Sequence, residues 1–257
     1  MVALSTTTPL NTVVVSYNSD LQMDIYAQFN YIYTVRNRLF EGLAISLLIA
    51  FVAVIIGLVI GIVLAMIKIA PKNNVIMKIL DKIADIYITV IRGTPMLVQL
   101  LIMYGVILVS FKSSDTNLLV PIISFGINSG AYMAEIIRSG INSVDKGQME
   151  AGRSLGLSWI TTMIKVIIPQ AIKVVIPTIF NEIIILVKET SVVAYILLRV
   201  NGKQVWDLLG IAEKLGLAKP ACYMALIFTV AIVYLVVVLL LTLIQKLIER
   251  RLKKNER

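Results

Sequence analysis

Glu135 and Arg138 stand three residues apart in an otherwise apolar stretch, and Lys188-Glu189-Thr190-Ser191 interrupts another between Ile183 and Leu198. Isolated charges at bilayer depth cost about 2.5–3.5 kcal/mol each on insertion scales, so they face a cavity or a partner. At a spacing of one helical turn, Glu135 and Arg138 share a face and can neutralise each other. An amphoteric solute needs a cation for its carboxylate, an anion for its ammonium group, and hydroxyls or amides to fix its orientation. Tyr132, Gln99 and Asn181 are candidates for that last role. The competing reading is internal ion pairing that holds helices in register, and the sequence leaves both open.

The elements that position these groups are membrane helices. The chain is 58% hydrophobic and 15% charged, with a mean hydropathy of +0.90, outside the soluble globular range. Crossing about 30 Å of hydrocarbon takes roughly 20 apolar residues in a helix. Five spans are predicted: Leu39–Ile67, Pro95–Phe111, Val120–Ile141, Val174–Leu198 after an oblique approach, and Pro220–Leu247. The fold class is therefore all-α and polytopic. Between the first two spans, Asn73–Val90 alternates apolar residues with Lys78, Asp81, Lys82 and Asp85 at the helical period. It is too charged to span and reads as an interfacial helix. Gly57/Gly61 and Gly126/Gly130 form two GxxxG pairs, read as close helix packing inside one subunit rather than a dimer seam.

With the N-terminus outside, the inner segments hold 14 Lys and Arg and the outer ones seven. That bias places the 142–166 loop and the C-terminus in the cytosol. Basic loops of this kind explain the net charge of +9 without nucleic acid. Residues 1–38 are read as an extracytoplasmic N-terminal segment lacking a cleavable signal peptide. Within it, 1–22 differ in character from the rest and are compatible with disorder. Residues 39–249 form the membrane domain, and 250–257 a basic cytosolic tail. With no His and one Cys, the chain has no Cys/His metal site, no internal disulfide and no Ser-His-Asp or Cys-His catalytic set.

The 142–166 loop is ordered by its own sequence. Asp145 with Gln148 three residues on has the form of a capping box. Lys146–Leu155 is then a short helix stopped by Gly156, whose missing side chain permits a left-handed turn. Ser158 caps the next helix, Trp159–Ile172. Gly152 and Gly156 lie one turn apart and predict a flat face for a partner's ridge. Gly147–Ser154 nearly spells a phosphate-binding loop, but it has no preceding strand and no Lys at the required place. ATP hydrolysis by this chain alone is therefore not expected.

Arg92-GTPMLVQL-Leu101, Gly130-AYMAEIIRSGI-Asn142, Gly147-QMEAGRSLGLS-Trp159, Ile168-PQ-Ala171 and Val187-KETSVVAY-Ile196 together resemble the inner-membrane permease of a binding-protein-dependent ABC importer, in the polar amino-acid branch. Two departures are small: Gly152 stands where the family's Glu-Ala-Ala triplet ends in Ala, and Glu189 where Asp is more usual. The resemblance implies that Glu150, Ala151, Gly152, Gly156, Ile168 and Pro169 couple the chain to an ATPase. It also implies a second permease subunit (the same or different), two cytosolic ATP-binding subunits and an extracytoplasmic solute-binding protein. The solute would be a polar amino acid, with Gln99, Tyr132, Glu135, Arg138, Asn181, Lys188, Glu189, Thr190 and Ser191 along its path. ATP and Mg would bind the partner ATPase, and no cofactor this chain. The expected location is a bacterial inner membrane. The alternatives are a related permease for another small solute such as an opine, or a channel or scaffold without an ATPase.

Overall fold

The computed structural model describes residues 24–111, 118–200 and 203–254; the expectation of disorder for 1–22 lies outside them. Asp24 caps the first helix, its carboxylate accepting from the Tyr26 N–H, and α1 runs unbroken from Ile25 to Ile69. It begins well before the predicted Leu39, because Tyr31, Ile32, Val35 and Leu39 continue one apolar face. That face packs on Leu208, Ile211, Leu215 and Leu226. At 45 residues, α1 is about 67 Å long, more than a single crossing needs.

Asn74 caps α2, Val75–Gly93, by accepting from the Met77 N–H at 2.8 Å. Its polar side is clamped to the end of α1: Lys68 reaches Asp81 at 2.9 Å and Asp85 at 2.7 Å, and Lys72 reaches Asp81 at 2.8 Å. Pro95 disfavours helical geometry in the residue before it, and Thr94 is extended at φ −119°, ψ 144°. The chain turns there by 108° into α3, Met96–Phe111. Gln99 stitches the bend, its amide donating to the carbonyls of Ile91 at 2.7 Å and Thr94 at 3.1 Å. Among the described residues, four helices are long and apolar enough to cross a membrane, and five spans result if the bent α2–α3 pair counts as one.

α4, Leu119–Asn142, is the central helix, with Val120, Phe125, Ala131 and Met133 fully buried. Its glycines and those of α1 face one another. A Cβ on Gly57 would stand 2.6 Å from that of Ser129, and one on Gly130 would stand 2.6 Å from Ile60 Cγ2. Both GxxxG pairs therefore serve packing within this subunit, as the sequence predicts.

After the elbow, α5 (Lys146–Ser154) and α6 (Trp159–Thr162), the backbone widens into a π turn over Met163–Ile167 before α7, Ile168–Glu189. Pro169 lacks the N–H that would bond the Lys165 carbonyl, which accounts for the wider turn. The predicted fourth span to Leu198 is corrected. The α-helix ends at Glu189, a 3₁₀ segment covers Thr190–Tyr195, and Leu198–Val200 (β1) pairs antiparallel with Lys203–Val205 (β2). Asp207 then caps α8, Leu208–Ala218, accepting from the Leu209 and Gly210 N–H groups at 3.1 Å each. A 3₁₀ turn, Pro220–Cys222, leads into α9, Tyr223–Lys254, whose Phe228, Ile232, Leu235, Leu239 and Leu243 remain exposed.

Candidate substrate path and cytosolic elbow

α2 and α4 bring four of the chain's polar side chains together on a partly exposed face. Arg138 donates from Nε at 3.1 Å and Nη2 at 2.7 Å to the two oxygens of Glu135, a two-point contact along α4. Arg92, from the end of α2, places Nη1 3.9 Å from Glu135 Oε2, and its guanidinium lies 5.2 Å from the Tyr132 ring centroid. Two guanidiniums around one carboxylate leave a positive charge over, which suits a solute carboxylate.

Glu182 adds the opposite charge and is missed by the sequence reading, which singles out its neighbour Asn181. It is 5% exposed in the middle of α7, within electrostatic range of Glu189 and Arg92. The available signal is its spacing: seven residues, two helical turns, put Glu182 and Glu189 on one face. Asn181 itself points away, accepting from Gln245 of α9 at 3.0 Å. The same Gln245 amide donates to the Pro177 carbonyl at 3.3 Å, so the pair holds α9 on α7.

Gln99 is committed to the α2–α3 bend, and its remaining oxygen accepts from Asn128 at 3.0 Å. In this structure Gln99 and the amide oxygen of Asn181 serve contacts between helices. The tetrad closes α7 rather than interrupting a continuing span. Thr190 is buried with its hydroxyl donating to the Val187 carbonyl at 2.8 Å. Glu189 and Ser191 are half-buried and Lys188 is exposed.

The elbow is built from local hydrogen bonds. Asp145 accepts from the Gly147 N–H at 2.6 Å. The reciprocal half of the predicted box is replaced, because the Gln148 amide oxygen accepts from Gln170 at 3.5 Å instead. Gly156 has φ +81°. Its N–H bonds the Arg153 carbonyl at 3.0 Å and the Leu157 N–H bonds that of Gly152 at 3.2 Å, the paired closure of a left-handed helix end. Ser158 Oγ accepts from the Thr161 N–H at 3.1 Å and starts the second arm.

Gly152 corrects one expectation. It is buried, and a Cβ there would collide with the Thr162 side chain, so its missing bulk admits Thr162 rather than a partner. Ile168 packs in the elbow's own cluster with Ile141, Met163 and Ile167. Glu150, Ala151 and Pro169 are exposed, and beside them Leu155 and Ile160 are 81% and 63% exposed. An ordered surface with bare Leu and Ile outside the bundle has the makeup of a docking face.

The family model for the inner membrane component of binding-protein-dependent transport systems matches residues 57–254. The chain is 39% identical over 218 residues to the arginine transport system permease protein ArtQ of Bacillus subtilis (strain 168), covering 85% of this chain and 94% of that protein. It is 35% identical to a putative glutamine transport system permease protein of Rickettsia typhi (strain ATCC VR-144 / Wilmington), over 84% of this chain and 94% of the other. Among solved structures, an amino acid ABC transporter with histidines superposes with a TM-score of 0.76 at 36% identity, over 90% of this chain and 99% of the other. The MetNI methionine ABC transporter, at 19% identity and a TM-score of 0.66 over 90% and 99%, shares the fold.

Proposed function

The chain belongs to the family of binding-protein-dependent transport system inner membrane components, and on that premise we propose that it is the permease subunit of an ABC importer for polar amino acids. It is a multi-pass inner-membrane protein, and ATP hydrolysis belongs to a separate subunit. The observation that carries the reading is the elbow, a rigid surface with Glu150, Ala151, Leu155 and Ile160 turned outward. The relatives named as arginine and putative glutamine permeases support an amino-acid solute.

In this reading two cytosolic ATP-binding subunits, carrying ATP and Mg, seat on the elbow. A second permease subunit, the same or different, lies beside this one in the lipid, and a solute-binding protein delivers the amino acid from outside. The N-terminus is extracytoplasmic and the C-terminal tail cytosolic. Closure of the ATPase pair moves α5 and α6 as one piece. Their packing against Ile69 of α1 and Ile137 and Ile141 of α4 passes that movement to the spans as alternating access. The amino acid's carboxylate meets Arg92 and Arg138, and Glu182 and Glu189 face its cationic end.

Reconstituting the permease with its ATPase in lipid, and measuring which amino acids stimulate hydrolysis in the presence of the binding protein, tests the proposal. Stimulation confined to polar amino acids is expected. Hydrolysis indifferent to every amino acid would overturn it.

A further inference from the structure

On the face opposite the elbow, α1, β2 and α8 border an open pocket of about 730 Å³ whose lining includes Ala44, Ile45, Ile211, Arg38, Glu41 and Lys214. Trp206 forms one wall, with Lys214 Nζ 3.7 Å from its ring centroid. The volume is that of a small-molecule site. The apolar side chains lie together with two cations and one carboxylate. Among the described residues, neither Arg38 nor Glu41 forms an ion pair.

Arg38 and Glu41 lie just before the uncharged run of α1, which extends from Gly42 to Ile67, and so mark the edge of the hydrocarbon. Below it the cavity opens onto an exposed stripe: Phe40, Leu48, Phe51, Ile55 and Val59 are 46–65% exposed, and Ala44 lies between the first two. Their spacing of three and four residues keeps them on one side of the helix. From Phe40 to Val59 the stripe extends about 28 Å, longer than one leaflet of about 15 Å. A water-soluble solute has no use for such a track, whereas an acyl chain does.

We propose that this cavity is a binding site for an aminophospholipid of the outer leaflet, with the phosphate between Arg38 and Lys214, the ammonium group on Glu41 and one acyl chain along the α1 stripe. Arg and Lys both bind phosphate, and Trp is the residue enriched at the headgroup level. The carboxylate makes the site selective, because it favours a headgroup bearing an ammonium donor and repels one that is anionic throughout.

The test is native mass spectrometry of the importer complex, permease with its ATPase, stripped of lipid and titrated with palmitoyl-oleoyl phosphatidylethanolamine, phosphatidylcholine or phosphatidylglycerol. The wild type is expected to retain phosphatidylethanolamine in preference to the other two. Arg38→Gln and Lys214→Gln should each weaken retention about tenfold, the loss of one charge-assisted hydrogen bond. Glu41→Gln should remove the preference while keeping phosphatidylglycerol. All three changes are on exposed side chains, and the intact complex mass reports assembly in the same spectrum. Equal retention by wild type and variants would overturn the site. Displacement by water-soluble glycerophosphoethanolamine at equal concentration would overturn the lipid assignment in favour of a free solute.

Discussion

The cytosolic elbow and the charged group differ in how much of the chain is needed to make them. The elbow takes its shape from one short stretch, through Asp145, Gly156 and Ser158 bonding backbone a few residues away. The charged group draws Arg92 from α2, Tyr132, Glu135 and Arg138 from α4, and Glu182 from α7. A locally built element can be displaced as one piece by a partner and keep its form. A group assembled from three helices must change whenever those helices move. Glu135–Arg138 lies within α4 and travels with it, while the 3.9 Å contact of Arg92 with Glu135 crosses between helices. The first joins two residues of one helix, and the second joins two helices.

Glu150→Lys breaks this division most sharply. The residue is exposed on α5, so reversal should cost the fold little while disrupting a charge-complementary interface. Uptake should fall to background with the subunit inserted in normal amount, and the ATPase should no longer co-purify. Normal uptake with normal co-purification would remove the elbow from the docking role.

Gly156→Val comes next. At φ +81° an L-residue pays about 1–2 kcal/mol, and a β-branched one more. No neighbouring atom would crowd the new side chain, so the effect is conformational alone. The elbow's angle should relax and hydrolysis should continue without transport. Wild-type uptake in proteoliposomes would show that the left-handed turn is dispensable.

The charged group is sharpened by Glu135→Gln and Glu182→Gln, compared in a competition series of cationic, neutral and anionic amino acids. Each change keeps the shape and removes one negative charge. A charge-assisted hydrogen bond is roughly twice as strong as a neutral one, so cationic solutes should lose most. Glu182→Gln should have the larger effect on selectivity, since Glu135 is already engaged by Arg138. Proportional loss for all solutes, tracking the amount of folded protein, would assign both residues to structure.

A smaller effect is expected at Gly152. Gly152→Ala pushes a methyl group into Thr162, and overpacking of this kind costs about 1–3 kcal/mol. Thr162→Ala added to it should recover thermal stability by freeing that space. If the double variant melts no higher than the single one, the contact does not set the elbow's closure.

Asp207 gives a pH-dependent effect on stability that leaves the transport path untouched. Burial pushes its carboxyl up to about 7, against the pull of the Gly210 and Leu209 N–H groups. Below the ordinary carboxylate range it is protonated in folded and unfolded chains alike, and its contribution to stability is fully present. As pH rises through 7 the folded chain must ionise it in a buried place, and that stability is lost. Asp207→Asn stays neutral and keeps an acceptor for the α8 cap. Its melting temperature relative to wild type should therefore be higher at pH 8 than at pH 5. An equal difference at both values would mean that Asp207 ionises as easily inside as outside.

The sequence by itself determined the class of this protein, because apolar runs of membrane length and capped, glycine-ended turns act through neighbours close in the chain. Leu119–Asn142 ends within a residue of its predicted bounds, and Asp145, Gly156 and Ser158 take the backbone roles their types imply. Only the tertiary structure decided the rest. Pro95 announces a break, but the 108° bend and its fastening by Gln99 depend on α4 lying alongside. The early start of α1 and the short helix α8 arise together, since the apolar face of each is buried by the other. Glu182 carries no motif. Its burial comes from the packing of α7 on α4. Local hydrogen bonds can be read along a chain, whereas the neighbours of a buried charge are fixed only when distant helices meet.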